Sequence, residues 1–313
     1  MSDDIILEIK NLNVDYISSA LGKKKTVRAV NNLSLDIKRG EILAIAGESG
    51  CGKSTLSKAI IRLVEPISGE IIYNGRNVYD LKGANLKEFR ENVQMIFQNP
   101  YASLNPKMKI RDILSEPLII NRKLSKLEID KILKLKIQQV GLSDKYLEFY
   151  PHEFSGGQRQ RIAIARALVL SPEFVIADEP VSALDASIQA QIINLIKDLK
   201  TEYQMTMMFI SHDLNVIRYI ADRVGIMYLG ELVEIGTRDE IFNSPQHPYT
   251  KLLLDSIPNI NKKPDSVNLS ELPIELPKGC KFYSRCPNQE CYCKTEKPHY
   301  KQLSPTHKVL CNL

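Results

Sequence analysis

Residues 42–64 read ILAIAGESGCGKSTLSKAIIRLV. An unbroken apolar run leads into a glycine-rich loop, and a helix-forming segment follows it. The loop Gly47-Glu48-Ser49-Gly50-Cys51-Gly52-Lys53-Ser54-Thr55 fits G-x-x-x-x-G-K-[ST], and the strand–loop–helix setting separates a phosphate-binding loop from a chance glycine turn. In such a loop the backbone N–H groups cradle phosphates, Lys53 reaches the β- and γ-phosphates, and the Ser54 hydroxyl takes Mg²⁺. Cys51 fills a variable position and reads as packing.

Working outward, three more continuous apolar runs follow: VQMIFQ (93–98), FVIADE (174–179) and MTMMFISH (205–212). Continuous rather than alternating hydrophobicity suits strands buried on both faces of a parallel sheet. Each run ends in a residue able to do chemistry: Gln98, Asp178 with Glu179, and His212. Ligands of open α/β sheets bind beyond the carboxyl ends of the strands. Asp178 is therefore expected in the Mg²⁺ shell, and Glu179 is expected to polarise a water for attack on the γ-phosphate. Alone, Gln98 and His212 signify little; neighbouring strand ends raise both.

Segments 5–16, 26–37 and 68–75 alternate apolar and polar residues, as half-exposed antiparallel strands do, and the last closes on Asn74-Gly75. Between the second and third apolar runs lies a helical stretch, roughly 105–170. It contains the amphipathic KLEIDKILKLKIQQVGL (126–142), with Gly141 as a helix stop. A second anion-binding helix start appears in EFSGGQRQR (153–161): Ser155 can cap it, and Gly156 and Gly157 allow close backbone approach. The expected fold is α/β. It has a RecA-like P-loop NTPase core, an antiparallel β subdomain, an inserted helical subdomain at about 100–170, and a cysteine-bearing C-terminal extension. The expected boundary separates an ATPase domain, 1–235, from the extension, 236–313.

Composition is that of a globular protein: 313 residues, 43% hydrophobic, 25% charged, net charge +5. The charge is spread along the chain, and Lys23-Lys24-Lys25 reads as a solvated loop rather than a nucleic-acid patch. The acidic start MSDDIILEIK is no secretory signal, and no apolar run approaches the ~18 residues of a membrane span. A cytoplasmic protein is expected, with membrane association through partners.

The segments FSGGQRQR (154–161) and DEPVSALD (178–185) resemble the signature and following motif of ABC transporter ATP-binding subunits. Phe154 stands where that family usually has Leu. The resemblance implies that Ser155, Gly156, Gly157 and Gln158 close over ATP held by the P-loop of a second chain, which accounts for two anion sites in one protein. It further implies that Tyr16 stacks on adenine and that Gln98 contacts Mg²⁺ or the attacking water. Asp185 would communicate across the dimer and His212 would contact the γ-phosphate.

QNPYASLNPKMKIRDILSEPL (98–118), YPHEFSGGQRQRIAIARAL (150–168) and HPYTKLLLDSIP (247–258) are similar to the oligopeptide/dipeptide permease group, closer to the second of its paired ATPases. The implied partners are a sister ATPase, two membrane permease subunits and an extracytoplasmic substrate-binding protein, at the cytoplasmic face of the membrane. Nickel importers share much of the pattern. A soluble ABC ATPase of ribosomes or DNA is disfavoured, because the chain has one cassette and no heptad run.

Cys51 stands alone before Cys280, and five cysteines lie between Cys280 and Cys311, in GCKFYSRCPNQECYC (279–293) and HKVLCNL (307–313). The spacing matches neither zinc ribbons nor ferredoxin runs. An iron–sulfur cluster, a four-cysteine zinc site and free thiols are the competing readings. The resemblance implies a four-iron four-sulfur cluster on Cys280, Cys286, Cys293 and Cys311, with Cys291 spare.

Overall fold

The computed structural model describes residues 4–20, 23–257 and 277–312; the stretch 258–276 of the expected extension lies outside the described residues. The chain opens with β1 (Ile5–Ala20), β2 (Lys23–Lys38), β3 (Ile42–Ala46), α1 (Lys53–Ile60), β4 (Ser68–Tyr73) and β5 (Arg76–Asn77). Then come α2 (Gly83–Asn92), β6 (Val93–Ile96), α3 (Pro100–Ser103), α4 (Ile110–Asn121), α5 (Lys126–Gln139) and α6 (Gly156–Leu168). It continues through β7 (Phe174–Asp178), α7 (Ala186–Tyr203), β8 (Thr206–Ile210), α8 (Leu214–Ile220), β9 (Arg223–Tyr228) and β10 (Glu231–Thr237). Last are α9 (Arg238–Asn243), α10 (Pro248–Asp255), β11 (Tyr300–Gln302) and β12 (Lys308–Leu310).

The four continuous apolar runs become β3, β6, β7 and β8, and they lie side by side in parallel, in the order β3-β8-β7-β6. Every residue of β3, β7 and β8 is buried, as two covered faces require. Strand alternation then sorts their side chains into two layers. Leu43, Ile45, Ile176 and Met208 pack with α1 and the antiparallel sheet. Val175, Ala177, Met207 and Phe209 pack with α4 to α7.

The alternating segments form a separate antiparallel sheet, ordered β2-β1-β4-β5. Asn74 (φ 47°) and Gly75 (φ 75°) both occupy the left-handed region, which a two-residue turn with the right strand twist needs. Gly141 (φ 74°) follows the end of α5 as a stop.

One expectation needs correction. Lys23–Lys25 are not a loop: they begin β2 and pair with Ser18–Ala20 of β1, lengthening the hairpin. In the C-terminal tail β12 pairs with β10 and β11 with β12. They extend the main sheet beyond β10, giving the order β11-β12-β10-β9-β3-β8-β7-β6. Phe282 anchors the tail in a cluster with Tyr228 and Tyr249. No helix among the described residues is long and apolar enough to cross a membrane.

Candidate active site

The phosphate loop runs from the end of β3 into α1. Its glycines answer to real crowding: a Cβ on Gly47 would sit 2.2 Å from the Met227 carbonyl oxygen, and one on Gly52 2.1 Å from that of Ala29. Gly52, at φ 109°, starts α1 without any side-chain cap, which leaves the first N–H groups of the helix for a ligand. Lys53 is only 4% exposed. Its ammonium donates to the carbonyls of Gly47 (2.8 Å) and Glu48 (2.9 Å), curling over the loop from inside. Cys51 is buried, and burial pushes its thiol above the usual range, as a packing residue's would be. Ser49 and Gly50 face solvent at the loop's tip, and Thr55 follows Ser54 in the first turn of α1.

The Ser54 hydroxyl donates to Asp178 Oδ1 at 3.1 Å. Asp178 is 3% exposed, and burial raises its carboxyl despite the Ser54 hydrogen bond and nearby Lys58 and Lys53. A buried carboxylate beside a hydroxyl is an oxygen donor set that suits a small hard cation, so these residues fit Mg²⁺. A cavity of about 360 Å³ opens here, lined by Ser54, Gln98, Arg166 and Asp178 among others.

Glu179 directly follows β7 with φ 46°, a left-handed conformation rare for a side chain of this size. Its N–H donates to the Ile210 carbonyl at 2.9 Å, which fixes that bend against β8. The carboxylate meets both weaker candidates: the Gln98 amide donates to Glu179 Oε2 at 2.8 Å, and His212 Nδ1 lies 3.4 Å from the same oxygen. Three separate strand ends thus converge on one carboxylate.

Ser155 is the N-cap of α6, in a capping box with Gln158: the Gln158 N–H donates to Ser155 Oγ at 3.3 Å, and the Ser155 N–H to Gln158 Oε1 at 3.0 Å. The glycines here behave differently from one another. A Cβ on Gly157 would meet Ile188 Cγ2 at 2.5 Å, whereas one on Gly156 would make ordinary contact with Leu184 at 3.6 Å. The Gly157 requirement is therefore packing against α7, not only the approach of a ligand. Phe154 is buried and meets Tyr146 edge-on, with centroids 5.3 Å apart. Asp185 caps α7, accepting the Ile188 N–H at 3.0 Å. Tyr16 is 41% exposed on β1.

Cys280, Cys286, Cys293 and Cys311 line one small pocket with His247, Pro248 and Phe282, while Cys291 is exposed and outside it. Burial pushes the Cys280 thiol up to about 11, and burial holds His247 near 4, so its imidazole is neutral. Among the described residues no group of three or more His, Cys, Asp or Glu is set to hold a metal ion. That pocket has a volume of about 20 Å³. As chemistry, four thiols without a carboxylate are a soft donor set suited to iron–sulfur or zinc.

Two residues touching the phosphate loop escape sequence reasoning. The Tyr249 hydroxyl accepts the Glu48 N–H at 3.0 Å, and Arg285 pairs with both Glu48 carboxylate oxygens at 2.7 and 3.0 Å. The only local signal for either is the motif HPYT around Tyr249.

Residues 30–182 match the ABC transporter family, and residues 233–293 match the oligopeptide/dipeptide transporter C-terminal region. The chain is 52% identical to the oligopeptide transport ATP-binding protein OppF of Bacillus subtilis, covering 98% of this chain and 96% of that relative. It is 45% identical to AppF of the same organism, covering 100% and 98%. It is 48% identical to the dipeptide transport ATP-binding protein DppF of Haemophilus influenzae, covering 92% and 90%. Among solved structures, a dimeric post-hydrolysis state of the ATP-binding cassette MJ0796 bound to ADP and Pi superposes with TM-score 0.66 at 31% identity, covering 74% of this chain and 98% of that one. With that fold, a complete phosphate loop and the convergent strand ends, the chain belongs to the ABC transporter family as an ATP-hydrolysing subunit, and to its oligopeptide/dipeptide branch.

Proposed function

We propose that this ATPase powers uptake of oligopeptides or dipeptides through separate membrane permease subunits. A binding protein delivers substrate from outside, and the ATPase sits peripherally on the cytoplasmic face. The substrate class rests on relatives named for peptide transport and on the matched C-terminal region. The chemistry rests on one observation: Gln98 and His212 both contact Oε2 of Glu179, beside the Lys53–Ser54–Asp178 cluster.

In this reading Glu179 is the general base. Gln98 and His212 hold the carboxylate by one oxygen, which leaves Oε1 to accept a proton from water. Lys53 leaves the Gly47 and Glu48 carbonyls for the β- and γ-phosphates, exchanging two neutral acceptors for charged ones. Ser54, Gln98 and Asp178 would hold Mg²⁺, which supplies charge neutralisation between the phosphates. Tyr16, exposed on β1, offers its ring to adenine.

The signature works across a dimer. As a cap, the Ser155 hydroxyl accepts a hydrogen bond, so its own O–H remains to donate to a phosphate on the partner's P-loop. ATP then adds charge-assisted bonds across the interface, and hydrolysis weakens them. Asp185, at the start of α7, carries the signal between the two sites, and the partner is a sister ATPase. The working division is a catalytic unit, 1–235, containing a helical insert at about 100–170, and an extension, 236–313. In the extension Cys280, Cys286, Cys293 and Cys311 would hold a four-iron four-sulfur cluster, with zinc as the alternative, and the bound group would clip the tail together.

Glu179→Gln tests the centre of this scheme. The amide keeps the shape but cannot take a proton, so turnover should fall about 10²–10⁴-fold while ATP stays bound in a trapped dimer. Phosphate release and gel filtration with ATP read both effects; undiminished hydrolysis removes Glu179 from the role of base.

A further inference from the structure

The extension reaches the phosphate loop at one residue, Glu48, by two routes. The first is through the backbone. The Gly47–Glu48 peptide donates its N–H to Tyr249 Oη at 3.0 Å and presents its carbonyl to Lys53 Nζ at 2.8 Å. One peptide plane therefore lies between the extension and the lysine that serves the phosphates. Tyr249 is fully buried, so its hydroxyl has little freedom to release that N–H.

The second route is electrostatic. Glu48 places a carboxylate in the second position of a loop built for anions, where its charge opposes a triphosphate. Arg285 covers it with a bidentate pair at 2.7 and 3.0 Å. The Arg285 side chain is only 4% exposed. Its guanidinium also lies over the rings of Tyr228 (5.6 Å) and Phe282 (5.8 Å). Tyr228, Tyr249 and Phe282 pack against one another with centroids 4.6–5.4 Å apart, which joins the two routes into one block.

We infer that Arg285 and Tyr249 are positioning residues for ATP: Tyr249 orients the Gly47–Glu48 peptide of the phosphate loop, on which Lys53 rests before ATP arrives, and Arg285 cancels the Glu48 charge at the phosphate site. The inference rests on the nucleotide reading of the loop.

The test titrates Mg·ATP onto the full-length chain by calorimetry in the cold. Wild-type binding checks the nucleotide reading by itself: a wild-type chain that binds no ATP overturns that reading and this inference with it. Tyr249→Phe keeps the ring and removes one hydroxyl, leaving a buried N–H unpaired; ATP should bind about tenfold more weakly. Arg285→Met should weaken binding to a similar degree, about tenfold, by exposing phosphate to an uncompensated carboxylate. Adding Glu48→Gln to Arg285→Met should restore affinity, because it removes the charge that Arg285 was covering. A role confined to holding the extension predicts no rescue, since the double variant lacks the pair just as the single one does. Folding is checked by circular dichroism melting. Folded Tyr249→Phe and Arg285→Met proteins that bind ATP within twofold of wild type would overturn the inference, as would a double variant no better than Arg285→Met.

Discussion

At the scale of single residues, the site depends on positions where the backbone or a glycine is forced. Glu179 takes a left-handed φ of 46°, so its carboxylate leaves the line of β7 and swings toward Gln98 and His212. Gly157 supplies a second case, because the absent Cβ is space that Ile188 occupies. Gly157→Ala should cost about 1–3 kcal/mol by overpacking, seen as a melting temperature several degrees lower. An unchanged melting curve would mean that α6 and α7 can separate freely, and the packing reason for Gly157 would fail. From sequence this glycine reads as a ligand-approach residue; its neighbour on α7, thirty-one positions on, was invisible to a local motif.

Single elements carry the next set of consequences. Helix α9 begins at the capping box Thr237–Glu240, and the same Glu240 accepts hydrogen bonds from Ser304 and Thr306, just before β12. Burial alone would raise this carboxyl. Bonds from Ser304, Thr237 and Thr306 outweigh it and hold the group near 2 against an ordinary 4.5. A folded value below the unfolded one stabilises the protein above about pH 4.5, and that stability is lost as pH falls toward 2. Glu240 is only half-buried, so solvent screening reduces the effect to about 1–2 kcal/mol. Glu240→Gln should therefore lower stability at neutral pH and flatten the acid arm of a stability-versus-pH curve between 4.5 and 2. An acid arm identical to wild type would exclude Glu240 as the source of that acid sensitivity.

For the whole molecule, the arrangement of layers puts Lys53, Ser54, Gln98, Asp178, Glu179 and His212 at the carboxyl ends of the parallel strands. The main sheet also continues through β9 and β10 into the tail strands β12 and β11, so the cysteine-bearing region is attached to the ATPase sheet itself. Gentle purification of the tagged protein from native membranes tests the transport reading at this scale. Multi-span permease subunits, a sister ATPase and an extracytoplasmic binding protein should copurify. The same preparation, made anaerobically, should carry iron and acid-labile sulfide. Recovery with ribosomal or DNA-repair proteins and no permease would leave the ATPase standing and remove its transport role.

The sequence by itself determined the phosphate loop, the four parallel strands with their reactive ends, the antiparallel segments and the helix stops. Each of these is written in a few consecutive residues, as a period, a cap or a motif. Only the tertiary structure decided that Lys23–Lys25 belong to a strand, and that three-residue tail strands join the main sheet. It likewise decided that Arg285 seats on Glu48 across 237 residues. Those outcomes depend on which surfaces meet after collapse. A short strand or a lone arginine carries too little local preference to announce its partner, and the partner appears only when the packed layers bring the two together.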